Sequence, residues 1–192
     1  MKTHIARRNF KSEEEAIKEI SSRFGLAKVL EIGEDYLLEE YIDFEKIDLS
    51  LDQLSYLLRD IHSIRNNSGL SLVHGDFSQH NTTLFEGNAK CFDYEYSHFG
   101  NTYADVGRIL LRECRGLKDA ELFFKIYSEG FPKSDELKDG LIYFCNWQHE
   151  LRKEKNLPYQ NVPLIRGKRI EMVRLNKLED ILNAFKSEVK NK

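Results

Sequence analysis

The sequence predicts an α+β chain, with a small mixed segment of helix and strands ahead of a larger, mainly α-helical part. Three observations predict it. The first third sets one helix-periodic run beside two short β-prone runs. A second hairpin pattern sits mid-chain near 82–93. Beyond Gly100 the remaining runs read as helix, with Pro132, Pro158 and Pro163 falling between them. At 192 residues, 41% hydrophobic and 32% charged, the chain can build one sizeable core, or two small lobes that share a cleft.

Each element has its own signal. Ser12 followed by Glu15 reads as a capping box, and Ala16, Ile17, Ile20 and Phe24 follow at helical spacing until Gly25 stops the helix. Ala27–Ile32 and Tyr36–Ile42, separated by Gly33-Glu34-Asp35, read as a hairpin. A second helix begins after Ser50 or Asp52, with Leu54, Leu57, Leu58, Ile61 and Ile64 as its buried stripe. Apolar Leu70–Val73 leads into a dense polar segment, His74–Asn81. Next come Thr82–Phe85, a turn at 86–89 and Lys90–Asp93. Helices are expected at about 102–113, 117–129, 134–151 and 168–189, with Phe144, Trp147 and Leu151 as core on one face.

Composition excludes several classes. A net charge of −3 does not suit a molecule that binds polyanions as a whole. From Arg166 to Lys177 five basic residues stand against Glu171 alone. That stretch reads first as a solvated helix face and second as a contact for phosphate or nucleic acid; an RNA- or DNA-associated module is the third and weakest expectation, and nucleic acid is not the expected partner. Cys91, Cys114 and Cys145 are odd in number and widely spaced, which fits neither a zinc site nor a secreted disulfide framework. Cys91 is expected as a small buried hydrophobe. The polar start MKTHIARRNFKSEEE is unlike a signal peptide, and no apolar run approaches the roughly 18 residues of a membrane span. A cytoplasmic location with no membrane partner is the expectation.

The chemistry concentrates in LVHGDFSQHNTTLFEGNAKCFDYE. A four-residue turn at 86–89 would pair Phe85 with Lys90 and set Thr82 opposite Asp93, with Asn81 across from the Asp93–Tyr94 end of the ladder. Asp76 lies five residues before Asn81, on the loop entering that hairpin. Two carboxylates and an amide then converge, an oxygen-rich set suited to Mg²⁺ together with phosphate oxygens and water. Phosphoryl transfer needs such a set: a metal on the nucleotide phosphates and a carboxylate to orient and deprotonate the attacking hydroxyl. Blander readings stand beside it. His74, His80 and Asp76 could be ligands of a hydrolytic metal site. Glu15 could be a capping residue alone, and Asp105 a favourable helix N-terminal acid. Gln148 and His149 could line a substrate cleft.

His74-Gly75-Asp76-Phe77-Ser78-Gln79-His80-Asn81 with Phe92-Asp93-Tyr94-Glu95-Tyr96 resembles the aminoglycoside phosphotransferase and choline kinase branch of the protein-kinase-like fold, which uses H-G-D-x-x-x-x-N and D-[WFY]-E. Ser55–His62 is similar to that family's helix ending in Leu-His. Gly100–Gly107 is similar to the start of its next helix, and Leu37–Ile42 to its interlobe hinge strand. The resemblance runs from about Ser12 to Leu110. It implies a reduced N-terminal lobe, residues 1–43, of a helix and about three strands, and a helical C-terminal lobe, 44–192, bearing the catalytic loop 74–81. It implies ATP (or GTP) and Mg²⁺ as cofactors, Asp76 as catalytic base, Asn81 and Asp93 as metal ligands, and Asp105, His74 and His62 as structural support. Glu39, Glu40, Tyr41 and Ile42 would offer backbone groups to adenine.

The sequence departs from the family pattern at its start. Ile5–Arg8 is similar to the end of the strand that carries the phosphate-pairing lysine, but no glycine precedes Gly25, so the expectation is that no phosphate-covering loop is present. Arg7 or Arg8 occupies the lysine's place, and Glu15 matches its helix partner. Arginine is not equivalent to lysine in shape or reach. The expected consequence is weak nucleotide affinity or slow turnover unless a protein partner or a second copy completes the lobe. Transfer to a hydroxyl of a small molecule is the leading expectation. A pseudokinase scaffold that binds nucleotide, and a protein serine/threonine kinase, are its alternatives.

Overall fold

The structure, a computed structural model, describes residues 13–130, 132, 136, 137 and 139–144, and the backbone of 164, 165, 168 and 169. Ser12, Arg7, Arg8, Cys145, Trp147, Gln148, His149 and Leu151 lie outside the described residues, as does most of the basic stretch at 166–177.

Helix α1 spans Glu14–Phe24 and buries Ala16, Ile17, Ile20 and Ser21. Its start corrects the expected capping box. Glu13 occupies the cap position with no side-chain cap bond, so Glu15 falls one residue short of the place where a capping-box glutamate reaches back. Gly25 does end the helix, by extended rather than left-handed backbone (φ −67°, ψ 147°). A Cβ there would fall 2.5 Å from Tyr94 Oη, so this glycine is explained by close approach. Ser21 then ties the helix to the next strand: its Oγ accepts Val29 N–H at 2.8 Å.

Strands β1 (Val29–Ile32) and β2 (Leu37–Glu39) form an antiparallel hairpin with an irregularity between Val29 and Glu31. β2 is shorter than the expected 36–42, because the ladder gives way beyond Glu39 to a backbone bond from Glu40 N–H to Lys28 O at 2.9 Å and a side-chain bond from Lys28 N–H to Glu40 Oε2 at 3.3 Å. Helix α2 (Leu51–Ser63) opens on a complete capping box between Ser50 and Gln53. It buries Leu54, Leu57, Leu58, Ile61 and His62. Ser71–Val73 (β3) is entirely buried.

The hairpin β4 (Thr82–Phe85) and β5 (Asn88–Cys91) corrects the expected register by two residues. Phe85 pairs with Asn88, and Thr82 with Cys91. The turn is Glu86-Gly87 alone, both at positive φ (50° and 77°), a two-residue geometry matched to strand twist. Strand β6 (His98–Gly100) returns antiparallel to β3, pairing Val73 with His98. Helices α3 (Tyr103–Arg112) and α4 (Leu117–Tyr127) follow within the ranges read from the sequence, and 139–144 is helical. Near the C-terminus, Leu164–Ile165 (β7) pairs with Lys168–Arg169 (β8). The helix expected from 168 therefore does not begin there.

One apolar cluster joins α1 to the helical part. Ala16 and Ile20 of α1 pack with Leu54, Leu58 and Ile61 of α2, Leu72 of β3, Val106 and Ile109 of α3 and Phe123 of α4. Phe144 is buried, the core role expected of it. Ile17 and Ile32 form a small second cluster beneath the β1–β2 hairpin. Truncating one of the fully buried leucines to alanine costs about 2–5 kcal/mol, so the cluster is what holds α1 against the strands bearing the polar loop.

Candidate active site

The polar loop leaves β3 at His74 and turns sharply at Gly75. Gly75 has φ +81°, and a Cβ there would sit 2.3 Å from Tyr96 O, so only glycine fits. The loop's backbone is gripped by one buried carboxylate. Asp105, in the first turn of α3, accepts His74 N–H on Oδ2 at 2.7 Å, and on Oδ1 accepts Gly75 N–H at 2.9 Å and Phe77 N–H at 3.4 Å. His62 Nε2 lies 3.2 Å from the same Oδ2. Burial pushes the Asp105 carboxyl up. The hydrogen bond and charge of His62, with the contacts from His74, outweigh burial and hold the group below its usual range.

His74 has its protonation state assigned by its neighbours. Its Nδ1 accepts Asp76 N–H at 3.3 Å, and its Nε2 faces Phe92 O at 3.1 Å. A carbonyl takes only a donor, so the ring is the neutral Nε2–H tautomer. Burial lowers its proton affinity in keeping with that, outweighing the pull of Asp105, Asp76 and Asp93. Both nitrogens are therefore committed to the backbone, and His74 does not serve as a metal ligand. His80 is exposed, and no group of three or more His, Cys, Asp or Glu side chains gathers among the described residues. The hydrolytic metal reading finds no site there.

Asp76 and Asn81 meet directly. After a 3₁₀ turn at Gln79–Asn81, the Asn81 amide donates through Nδ2 to Asp76 O at 2.9 Å and to Asp76 Oδ2 at 3.0 Å. Across the hairpin, Phe92 N–H donates to Asn81 O at 3.0 Å. Phe92, rather than Asp93, is thus the residue opposite Asn81. Asp93 follows as an exposed residue in left-handed backbone (φ 63°, ψ 57°), a region Asp tolerates better than most side chains. Tyr94 anchors the turn beyond it. Its buried hydroxyl lies 3.0 Å from Ala27 O and 3.1 Å from Cys91 O, and accepts Ala27 N–H at 3.3 Å. Burial drives the Tyr94 phenol well above its ordinary value.

Glu15 is exposed on α1. Glu39, Glu40 and Tyr41 are exposed at the end of β2 and just past it, Ile42 is half-buried, and the Glu40 amide is already engaged by Lys28 O. From there the chain runs back to the site. The Phe44 ring packs at 5.7 Å on Phe92, and Ile47 exchanges hydrogen bonds with Thr83 and Leu84 of β4. Arg108 escapes notice in the sequence. Its guanidinium forms an ion pair through Nη1 with Asp76 Oδ1 and reaches Gly75 O through Nη2 at 3.5 Å. Its only sequence clue is its place three residues after Asp105 on the same helix.

No protein-family model matches the sequence, and no curated protein sequence matches it. Solved structures do match its architecture. APH(2'')-IIa, in a ternary complex with streptomycin and ATP, superposes with a TM-score of 0.50 at 15% identity, covering 83% of this chain and 82% of that one. The ADP-bound aminoglycoside phosphotransferase APH(2'')-Ib gives a TM-score of 0.50 at 15% identity over 90% of this chain and 80% of its own. Its architecture, with loop 74–81 braced by Asp105, places the chain in the protein-kinase-like fold, in the form that aminoglycoside phosphotransferases adopt.

Proposed function

We propose that the chain is an ATP-dependent phosphotransferase that passes the γ-phosphoryl group to a hydroxyl, of a small molecule in preference to a protein. The observation that carries this reading is the contact of Asp76 with Asn81 inside a loop whose backbone Asp105 immobilises. In the reaction, the acceptor oxygen forms a bond to the γ-phosphorus, the bond to the β–γ bridging oxygen breaks, and ADP departs. The acceptor's proton passes to the Asp76 carboxylate. A fixed carboxylate beside the phosphate site supplies orientation, which dominates catalysis when little covalent work is left to the protein.

Asn81 and Asp93 would hold Mg²⁺. Their hard oxygens, with Asp93 open to solvent, suit an ion that keeps water and phosphate among its ligands. That ion supplies neutralisation of phosphate charge. Glu39–Ile42 would meet the base, through backbone other than the engaged Glu40 amide. The nucleotides bound in the matched structures, ATP and ADP, support a nucleotide as donor. Arg7, Arg8 and Glu15 as the phosphate-clamping set, and the division into lobes at residue 43, are part of the same proposal.

The test is transfer of label from γ-labelled Mg·ATP to pooled metabolites and, separately, to pooled proteins, with Mg·ATP binding measured by calorimetry. Label in the metabolite pool is the expected result. Label in proteins alone would redirect the acceptor class, and binding without transfer would leave a nucleotide-binding scaffold.

A further inference from the structure

We infer that Arg108 is a positioning residue for phosphoryl transfer: from behind, it clamps the Asp76 carboxylate in the orientation that receives the acceptor's proton. The inference rests on the phosphotransferase reading and concerns a residue outside the loop motif.

A guanidinium on the inner side of a helix is costly unless paired and hydrogen-bonded. Arg108 is on α3, one turn beyond Asp105, and its side chain is only 8% exposed. The two residues hold the same loop by opposite means. Asp105 takes the N–H groups of His74, Gly75 and Phe77, whereas Arg108 takes the Gly75 carbonyl and the Asp76 carboxylate. Alone, Asp105 would fix the backbone of residue 76 and leave its side chain free to rotate.

The Asp76 carboxylate is constrained at both oxygens. Oδ1 pairs with Arg108 and Oδ2 accepts from Asn81 at 3.0 Å. Each carboxylate oxygen has two lone-pair directions, so one on each remains for an acceptor. Asp76 is 27% exposed while Arg108 is 8%, so the cation approaches from the protein side and the carboxylate's open side faces solvent. An arginine that served packing alone would have no need of a half-open partner; this one fixes the plane of the group that must meet the substrate. Lysine would keep the charge but lose the forked contact to Asp76 and Gly75 O.

Arg108→Met and Arg108→Lys, each alone and combined with Asp76→Asn, test this through phosphate release from Mg·ATP, with and without the metabolite pool. Arg108→Met should lower kcat on the order of 10²-fold, the effect of a misplaced catalytic group, with KM for Mg·ATP within about twofold. Arg108→Lys should recover part of that loss. Added guanidinium ion should restore turnover to Arg108→Ala. In the Asp76→Asn background the Arg108 change should cost nothing further. Should Arg108→Met fail to fold by circular dichroism, the charge-conserving lysine variant decides. Wild-type kcat in Arg108→Lys and Arg108→Met would overturn the role. So would losses that track the melting temperature, or that recur undiminished without Asp76. A wild-type chain that neither binds nor turns over Mg·ATP would overturn the phosphotransferase reading and this role with it.

Discussion

His74 and Asp105 are coupled at 2.7 Å through the backbone N–H of one and Oδ2 of the other, and both are fully buried. Their protonation therefore links the loop to pH. Asp105 is held below its usual carboxylate range, so its contribution is present above about pH 4 and is lost as pH falls through its folded value. His74 is also lowered. Below about pH 6.5 the unfolded chain takes up a proton on this ring that the folded chain refuses, so stability falls with falling pH in that window. The expected slope from this ring grows as pH falls below about 6.5, toward a ceiling of about 1.4 kcal/mol per pH unit. Urea unfolding of wild type and His74→Gln across that range checks it, since the variant should lack that slope.

Gly75 and Gly87 both have positive φ, yet their replacement should differ in cost. At Gly87 (φ +77°) nothing stands within 4 Å of where a side-chain carbon would fall, so Gly87→Ala should cost only the backbone strain, about 1 kcal/mol. At Gly75 the same carbon meets Tyr96 O at 2.3 Å, and the loop must move away from Asp105. Gly75→Ala should cost about 3 kcal/mol or more, adding a lost charged hydrogen bond to strain. Denaturant midpoints of the two variants, read side by side, would contradict this difference if they matched.

Tyr94→Phe removes the hydroxyl that joins Ala27 to Cys91. The Ala27 N–H and two carbonyls lose a buried partner, for an expected loss of about 1–3 kcal/mol. Because Leu26 N–H also binds Cys91 O at 2.8 Å, the loosening should centre on residues 25–27. Amide hydrogen exchange should quicken there and at Leu26, while the amides of α4 keep their protection.

Much of this architecture is legible in the sequence alone. The stripe Leu54-Leu57-Leu58-Ile61 marks α2 because burial of one face dictates a 3.6-residue period, and Ser50 marks its start. The start of α3 within Gly100–Gly107, with Asp105 in its first turn, can be placed because motif residues recur at fixed spacing. The β4–β5 register escapes, since Glu86-Gly87 lacks the Asn or Asp that marks a two-residue turn, and four polar or small residues in a row suggest a longer one. Arg108 escapes for a different reason. Its partner Asp76 is 32 residues away (108 − 76), brought near only when β6 pairs with β3, and helical periodicity carries no record of such a meeting. The return of residues 44–47 along β4 is likewise invisible, as its bonds run through Thr83 Oγ1 and the backbone.

Asp76 and Asp93 should fail in different ways when altered, because the proposed mechanism gives them different tasks. Asp76 is engaged by Asn81 and Arg108, a geometry suited to orienting a hydroxyl. Asp93 stands exposed beyond β5, where a hydrated ion can reach it. Asp76→Asn preserves shape and an acceptor oxygen but not the capacity to take a proton, so kcat should drop by about 10²–10⁴-fold with Mg·ATP affinity nearly unchanged. Asp93→Ala removes the charged oxygen proposed to hold the ion, so calorimetric affinity for Mg·ATP should fall while affinity for ATP in EDTA stays near that of wild type. The contrast is the informative part: a drop in Mg·ATP affinity for Asp76→Asn equal to that for Asp93→Ala would make both residues metal ligands and leave the base unassigned.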